Sequence, residues 1–408
     1  MSSKTSLTIA EARQILFETL SPVTGWESVP VRQALGRVLF NDVVAPFDVP
    51  AHTNSAMDGY AVRIGDLSQE GETRLAVIGT AFAGNAFTGV IGAGQAVRVM
   101  TGAVLPNGAD TVVVQECVRV EGDALFIPAG QAAGQNVRLA GEDLARGNPA
   151  LPAGKRLGPA EIGLLASLGI GEVIVRRRLR VAFFSTGDEI ASISQPLRPG
   201  EVYDSNRYTL YGLLSRLGVE LIDMGVVRDD PVALERALLD ASAQADVILT
   251  TGGVSVGDAD YVRELIARNG EVSFWKLNIK PGRPLAFGRV GKVWLFGLPG
   301  NPVSAMVTFC QVVSDALLTL MGCSPLPERP VFSVPCVSRI DKSPARREFA
   351  RGILFADNGV WKVRLAGSQG SGVLSSMSRA NCFIVLSEDA GNVNEGDRVD
   401  VQPFDGLV

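Results

Sequence analysis

The sequence predicts a multidomain protein, α/β in its central part and β-rich on either side, on three observations. Its 408 residues are too many for one hydrophobic core, so two to four domains are expected. The stretch after about residue 178 alternates fully apolar runs with helical runs, the pattern of a parallel sheet covered on both faces. Elsewhere the chain breaks into short β-type runs, punctuated by many of its 45 Gly and 22 Pro.

Taken in order, Thr8 and Glu11 form a capping box, and Ile9, Ala12, Ile15, Leu16 and Leu20 keep helical spacing behind it, so the chain opens on a helix. Short runs at Leu75–Ile78, Ala96–Met100 and Thr111–Gln115 predict a compact β-rich insertion over residues 46–145. Pro159 opens a second helix, Ala160–Leu168, closed by Gly169 as a left-handed cap. If the two helices belong together, residues 1–45 and 146–177 form one discontinuous linker domain. Residues 178–324 read as the three-layer α/β domain. Its strands are expected at Val181–Ser185, Leu221–Val227 and Asp246–Thr251. A helix over Asn206–Leu217 ends at Gly218, and another starts at the Asp230–Pro231 cap and runs through Leu239. Pro325, Pro327 and Pro330 mark a linker, and residues 330–408 read as a small β domain. No internal repeat is present.

Composition narrows the chemistry. Hydrophobic residues make up 46% and charged residues 20%, an ordinary globular balance. A net charge of −5 argues against a nucleic-acid binder, while local Lys and Arg leave an anionic small ligand open. No apolar run is read as reaching the ~18 residues of a bilayer span, and no secretory pattern precedes the opening helix, so a cytoplasmic protein without a membrane partner is expected. The five Cys are scattered without a CxxC pair and read as free thiols. His52 is the only histidine, which speaks against a His-based zinc site or a Ser-His-Asp triad. Carboxylates, lysines, hydroxyls and backbone amides are left to do the chemistry, with a hard oxygen-ligated ion such as magnesium if a metal is used.

The motifs fit that inventory. Gly252-Gly253 directly follows a buried-type strand, and Ser255, Asp258 and Asp260 come soon after. Glycines there let the backbone approach a phosphate at the carboxyl edge of the sheet, although a purely steric strand-to-helix turn would use them too. The pattern matches neither a dinucleotide fingerprint nor a P-loop. Asp188 and Glu189 follow one strand and Asp229 and Asp230 another, so these acidic loops should converge with the glycine loop. Carboxylates beside a phosphate suit magnesium, with Glu189 and Asp260 read as functional and Asp230 as an N-cap. Lys276, Lys280 and Arg283 lie within eight residues, held by prolines and a glycine, and suit an oxyanion at a pocket mouth. Ser304 sits near the start of a long apolar helix after Pro299 and Pro302. The Arg176–Arg178 run reads as a solvated flank, without function.

In order along the chain stand NSAMDGYAV (Asn54–Val62), MTGA (Met100–Ala103), GED (Gly141–Asp143), FSTGDE (Phe184–Glu189), RDD (Arg228–Asp230), TTGGVSVGDADY (Thr250–Tyr261), FWKLNIKPGRP (Phe274–Pro284) and GLPGNPVSA (Gly297–Ala305). This series resembles the MoeA-type molybdopterin molybdenumtransferases, relatives of the E domain of gephyrin, from the opening helix to the tail. The resemblance implies a four-domain homodimer whose α/β domain is similar to molybdopterin adenylyltransferases. It implies transfer of molybdenum from molybdate to adenylylated molybdopterin with release of AMP, aided by magnesium. Site residues implied by position are Asp58, Thr101, Asp188, Glu189, Asp229, Asp260, Lys276, Lys280 and Ser304, with Pro299 and Pro302 shaping the loop. Lesser candidates are Arg138 and Asp143, and Arg351 and Ser371 for an oxyanion. Glu189, Asp229 and Asp260 are the expected metal ligands, and Gly252, Gly253 and Ser255 the phosphate cradle. Transient contact with the adenylyltransferase and with cofactor-accepting proteins is a further implication. Arg283 stands where many relatives carry Lys, which replaces a point charge by a planar fork. Two other functions remain open: the preceding adenylyl transfer from ATP, and a non-catalytic scaffold of the gephyrin type.

Overall fold

The computed structural model describes residues 6–252 and 272–404. The expected sites at Gly253, Ser255 and Asp260 lie outside the described residues. The chain forms two compact units: Met1–Phe40, Gly154–Gly158 and Glu172–Val408 in one, Asn41–Ala153 and Pro159–Gly171 in the other.

The first unit is built on a six-stranded sheet, with elements numbered within this α/β domain: β1 Arg180–Thr186, α1 Ser205–Leu217, β2 Glu220–Val227, α2 Pro231–Ser242, β3 Val247–Thr251, β4 Val272–Lys276, β5 Pro284–Val290 and β6 Val293–Leu298. The spatial order is β2-β1-β3-β6-β5-β4. β2, β1, β3 and β6 run parallel, as expected. β5 and β4 run antiparallel and extend the sheet beyond the parallel set. The reversal comes from the tight Gly291-Lys292 connection, with Val290 paired directly to Val293 and Gly291 at φ +60°. A two-residue loop can join only antiparallel neighbours.

Alternation along β1 explains the three layers. Val181 and Phe183 point to one face, where they join Leu210, Leu214 and Leu217 of α1 and Val303, Val307 and Phe309. Ala182 and Phe184 point to the other, with Leu234, Leu238 and Ala241 of α2. Each fully buried Phe or Leu stabilises by about 1.5–3 kcal/mol through apolar burial. The predicted caps form: Asp230 accepts from the Ala233 N–H at 2.9 Å, and Gly218 ends α1 at φ +80°. The Arg176–Arg178 run is more than a solvated flank. Arg177 forks onto Asp246 with two bonds of 2.7 Å, tying the entry of β1 to that of β3. Burial alone would raise the Asp246 pKa, but the Arg177 fork and the Arg180 N–H more than offset it and hold the carboxylate low.

The helical segment Pro302–Leu320 is long and apolar enough to cross a bilayer, which the sequence reading had not credited; 89% of its apolar window is buried inside the protein. Its middle turn, Phe309–Val313, is a π-helix. The Gln311 carbonyl accepts from Arg13 Nε at 3.0 Å, a bond from the opening helix Ile9–Thr19. That helix carries both bonds of the Thr8–Glu11 capping box and buries Ile9, Ala12 and Leu16. On either side of the insertion, Trp26–Pro30 pairs with Glu172–Arg176.

The tail forms a β-sheet of Arg347–Asp357, Cys382–Leu386, Arg398–Pro403 and Phe332–Pro335, flanked by Val360–Leu365. Val334, Cys336, Val363, Cys382, Ile384 and Val401 fill its core. The strand Ile279–Lys280, from the basic loop, joins this sheet parallel to Arg347–Glu348.

The second unit carries a six-stranded sheet in the order Thr111–Val114, Gly59–Val62, Gln95–Val99, Thr73–Ala81, Ala124–Ile127, Arg119–Glu121. The helix Pro159–Ser167 belongs to this unit, whereas the opening helix belongs to the first. Gly169 follows it at φ +67°, the left-handed conformation expected of a cap.

Candidate functional site

The carboxyl ends of β1, β3 and β6 are in step: Ser185 pairs with Thr251, and Thr251 with Leu298. Loops leaving these strands therefore open on one edge, the usual ligand edge of an open α/β sheet. A cavity of about 670 Å³ lies there. Its walls include Thr186, Glu189, Asp229, Gly252, Pro299 and Ser304.

Each wall has a local cause. Gly252 follows β3 at φ +88°, and a Cβ there would lie 2.2 Å from the Thr186 carbonyl oxygen, so only glycine lets the two strand ends come this close. The Thr186 hydroxyl donates to Asp229, and the Asp229 N–H points to Asp188 Oδ1 at 3.4 Å. These bonds gather the two acidic loops. Pro302 opens the long helix, whose N-terminal end carries partial positive charge and suits an anion. Ser304, 5% exposed, lies in its first turn.

Several wall residues escaped the sequence reading. Asp204 is 2% exposed; it accepts from the Ser185 hydroxyl at 2.8 Å and from Arg207 Nε at 2.9 Å, and it caps α1. Asn206 donates through Nδ2 to Thr251 Oγ1 and to the Gly300 carbonyl, both at 2.7 Å. Those two bonds fix the amide orientation, and Asn206 Oδ1 is buried without a hydrogen-bond partner. The Asp-Ser-Asn run at a helix start was the available signal, and it reads as an ordinary N-cap.

The basic loop does not act as one patch. Lys276 ends β4 and is exposed. Lys280, half exposed, pairs with Glu348 at 3.1 Å and lines a second cavity of about 260 Å³ with Pro281, Arg351 and Gln369. Pro284, four residues on, lines the first cavity. Glu189 and Lys280 thus line two different cavities of the same unit. Gly282 between them is obligatory: at φ +103° its Cβ would fall 2.5 Å from Thr308 Oγ1.

Arg351 is 1% exposed. It donates through Nε to Ser376 Oγ at 3.1 Å and through Nη2 to the carbonyls of Ser368 and Gly370 at 3.2 and 2.9 Å. Among the described residues it has no ion pair, and burial brings its pKa down to about 10. A buried cation held only by neutral groups keeps its charge uncompensated, which suits an anion. Ser371 reaches the first cavity's helix by its backbone, its carbonyl accepting from the Val303 N–H at 3.1 Å.

In the second unit, Asp58 accepts from the Thr101 N–H and hydroxyl, both at 2.7 Å. These bonds, the backbone one first, hold the exposed Asp58 carboxyl below the usual range. Arg138 pairs in register with Asn54, near the Asp58 loop, and Asp143 lies exposed in a turn whose N–H reaches the Val49 carbonyl at 3.1 Å.

Among the described residues no group of three or more His, Cys, Asp or Glu is placed to hold a metal. Magnesium does not require one, because it binds through one or two carboxylates together with substrate phosphates and water. The exposed Glu189 and half-buried Asp229, both lining the 670 Å³ cavity, fit that donor set.

Three family models match the chain in sequence: the MoeA N-terminal region (domains I and II) over residues 7–169, the probable molybdopterin binding domain over 182–319, and the MoeA C-terminal region (domain IV) over 333–404. The chain is 42% identical to a molybdopterin molybdenumtransferase of Haemophilus influenzae, over 98% of this chain and 100% of that one. It is 38% identical to one of Nostoc sp., over 88% of this chain and 84% of that one. A crystal structure of the molybdopterin biosynthesis MoeA protein of Pyrococcus horikoshii superposes with a TM-score of 0.83 at 31% identity, covering 98% of this chain and 100% of that one.

Proposed function

The chain belongs to the MoeA family of molybdopterin molybdenumtransferases, and we propose how two of its cavities share that reaction: the larger of the two holds the phosphate link of adenylylated molybdopterin, the smaller holds molybdate. The observation that supports this division is the sorting of charge. Among the described residues, Glu189, Asp204, Asp229 and a helix N-terminus line the 670 Å³ cavity with no Lys or Arg, whereas the 260 Å³ one sets Lys280, Arg339 and Arg351 against Asp341 and Glu348, with Arg351 in no ion pair.

The bond that breaks is a phosphorus–oxygen bond of the link between the pterin phosphate and AMP. A water oxygen bonds to the pterin-phosphate phosphorus, and the bond from that phosphorus to the bridging oxygen breaks. AMP leaves with the bridging oxygen, and the water protons go to the phosphate products and solvent. Gly252 lets the phosphates approach the backbone, and the N-terminal end of the helix opened by Pro302 offsets their charge. Glu189, Asp229 and Asp260 would hold magnesium, which would supply charge neutralisation at the phosphate oxygens. Thr186 and the Asp229 N–H keep Asp229 and Asp188 in place for that role. Lys280 and Arg351 bind the oxyanion through charged hydrogen bonds, with the 371 backbone beside them. Lys276 adds a solvent-side cation. Asp58, its ionised form favoured by Thr101, completes the site of a partner protomer in a homodimer, with Arg138 and Asp143 nearby on the same unit. The enzyme works in the cytoplasm and takes its substrate from an adenylyltransferase.

Purified protein incubated with adenylylated molybdopterin is expected to release AMP only when magnesium and molybdate are both present. Uncleaved substrate under those conditions would sink the proposal. Pyrophosphate formed from ATP and molybdopterin would instead mark the protein as the preceding adenylyltransferase.

A further inference from the structure

One short segment, residues 367–372, contributes Gln369 to the smaller cavity and Gly372 to the larger. Its position depends on a double lock with Arg351. The Arg351 guanidinium holds the Ser368 and Gly370 carbonyls. In return, Gln369 Oε1 accepts from the Arg351 N–H at 2.8 Å, while its Nε2 donates to the carbonyls of Arg351 at 3.2 Å and Gly367 at 2.8 Å. The far end of the segment is tied to the other cavity, since the Ser371 carbonyl accepts from Val303 N–H, one residue before Ser304.

We propose that Gln369 is a positioning residue that couples oxyanion occupancy of the smaller cavity to nucleotide binding in the larger. The inference rests on the reading that the smaller cavity takes the oxyanion. An anion on Arg351 holds the guanidinium in the orientation that clasps Ser368 and Gly370. That orders the segment, and through Ser371 it orders the first turn of the helix beside the phosphate cradle. A ligand that binds second then meets a wall already ordered by the first, so each strengthens the other. By linkage the two factors must be equal. Gln369 transmits the effect because it joins the backbone carrying Arg351 to the segment itself.

The test is calorimetry on the full chain, with molybdate titrated in the absence and presence of saturating AMP and magnesium, and AMP titrated with and without molybdate. Wild-type protein is expected to bind molybdate at least about fivefold tighter with AMP present, and AMP tighter by the same factor with molybdate. Gln369→Met keeps the length of the side chain and removes its amide. Both factors should fall to within about twofold of unity, while AMP alone binds within about twofold of wild type. Gln369→Glu keeps the acceptor for the Arg351 N–H but loses both donated bonds, and should give an intermediate factor. A wild-type factor of one, or an undiminished factor in Gln369→Met, overturns the coupling. So does loss of affinity for AMP alone in both variants, which would mark Gln369 as a structural prop. Failure of the underlying reading looks different: no molybdate binding by wild type, or the same molybdate Kd in Arg351→Ala.

Discussion

Gly252→Ala perturbs the floor of the larger cavity at a single atom. The new Cβ would sit 2.2 Å from the Thr186 carbonyl oxygen, whereas real Cβ contacts are not found under 3.0 Å. The ends of β1 and β3 must therefore separate by about 1 Å, and Thr186 carries Asp229 with it through its hydroxyl. Misplacement of that order in an active site costs roughly 100-fold in rate. The left-handed backbone at φ +88° adds about 1–2 kcal/mol of destabilisation. Gly200 separates the two effects, because it has φ +91° but open space where its Cβ would go. Single-turnover AMP release, followed by chromatography alongside thermal unfolding, should show both variants destabilised and only Gly252→Ala slow by about two orders of magnitude. A Gly252→Ala enzyme within threefold of wild type, or a Gly200→Ala enzyme equally slow, would refute the close-approach argument.

Thr186→Val removes the hydroxyl that orients Asp229 and should cost about 10- to 100-fold in apparent magnesium affinity, read from the magnesium dependence of AMP release; unchanged dependence would make that bond incidental. Glu189→Gln and Asp260→Asn should each block turnover with unchanged thermal unfolding, and wild-type rates would show both to be structural. Thr101→Val leaves only the backbone N–H on Asp58, so its depressed pKa should rise. The ionised form is then lost at a higher pH as the solution is acidified, and the acid limb of the rate profile should move up; an unmoved limb contradicts a role for that carboxylate. Lys280→Ala should raise the molybdate half-saturation at least several-fold, a modest figure because the ammonium is half exposed. An unchanged value would put the oxyanion elsewhere.

Local chemistry was legible in the sequence, and partners distant along the chain were not. The Thr8–Glu11 box, the Asp230 cap, the Gly218 stop and the apolar β1 each follow from a few neighbouring residues, and each forms as read. Antiparallel β5 and β4 were missed, although Gly291-Lys292 between two apolar runs is a hairpin signal. Convergence of the acidic loops followed from sheet topology alone. The split of the basic loop did not, because Lys280 is held by Glu348, 68 residues away, and by pairing with the tail sheet. Arg351 likewise looks like any strand arginine until the 368–370 carbonyls fold over it. Asp204 and Asn206 were hidden for another reason: a capping pattern is common, and nothing local distinguishes a cap that also lines a cavity.

Co-crystallisation with AMP, magnesium and tungstate, with tungsten located by anomalous scattering, tests the division of labour most directly. The account predicts tungsten beside Arg351 and Lys280, with the AMP phosphate beside Gly252, Asp229 and Ser304. Tungsten among the carboxylates, or a nucleotide bound away from the ends of β1, β3 and β6, would contradict it.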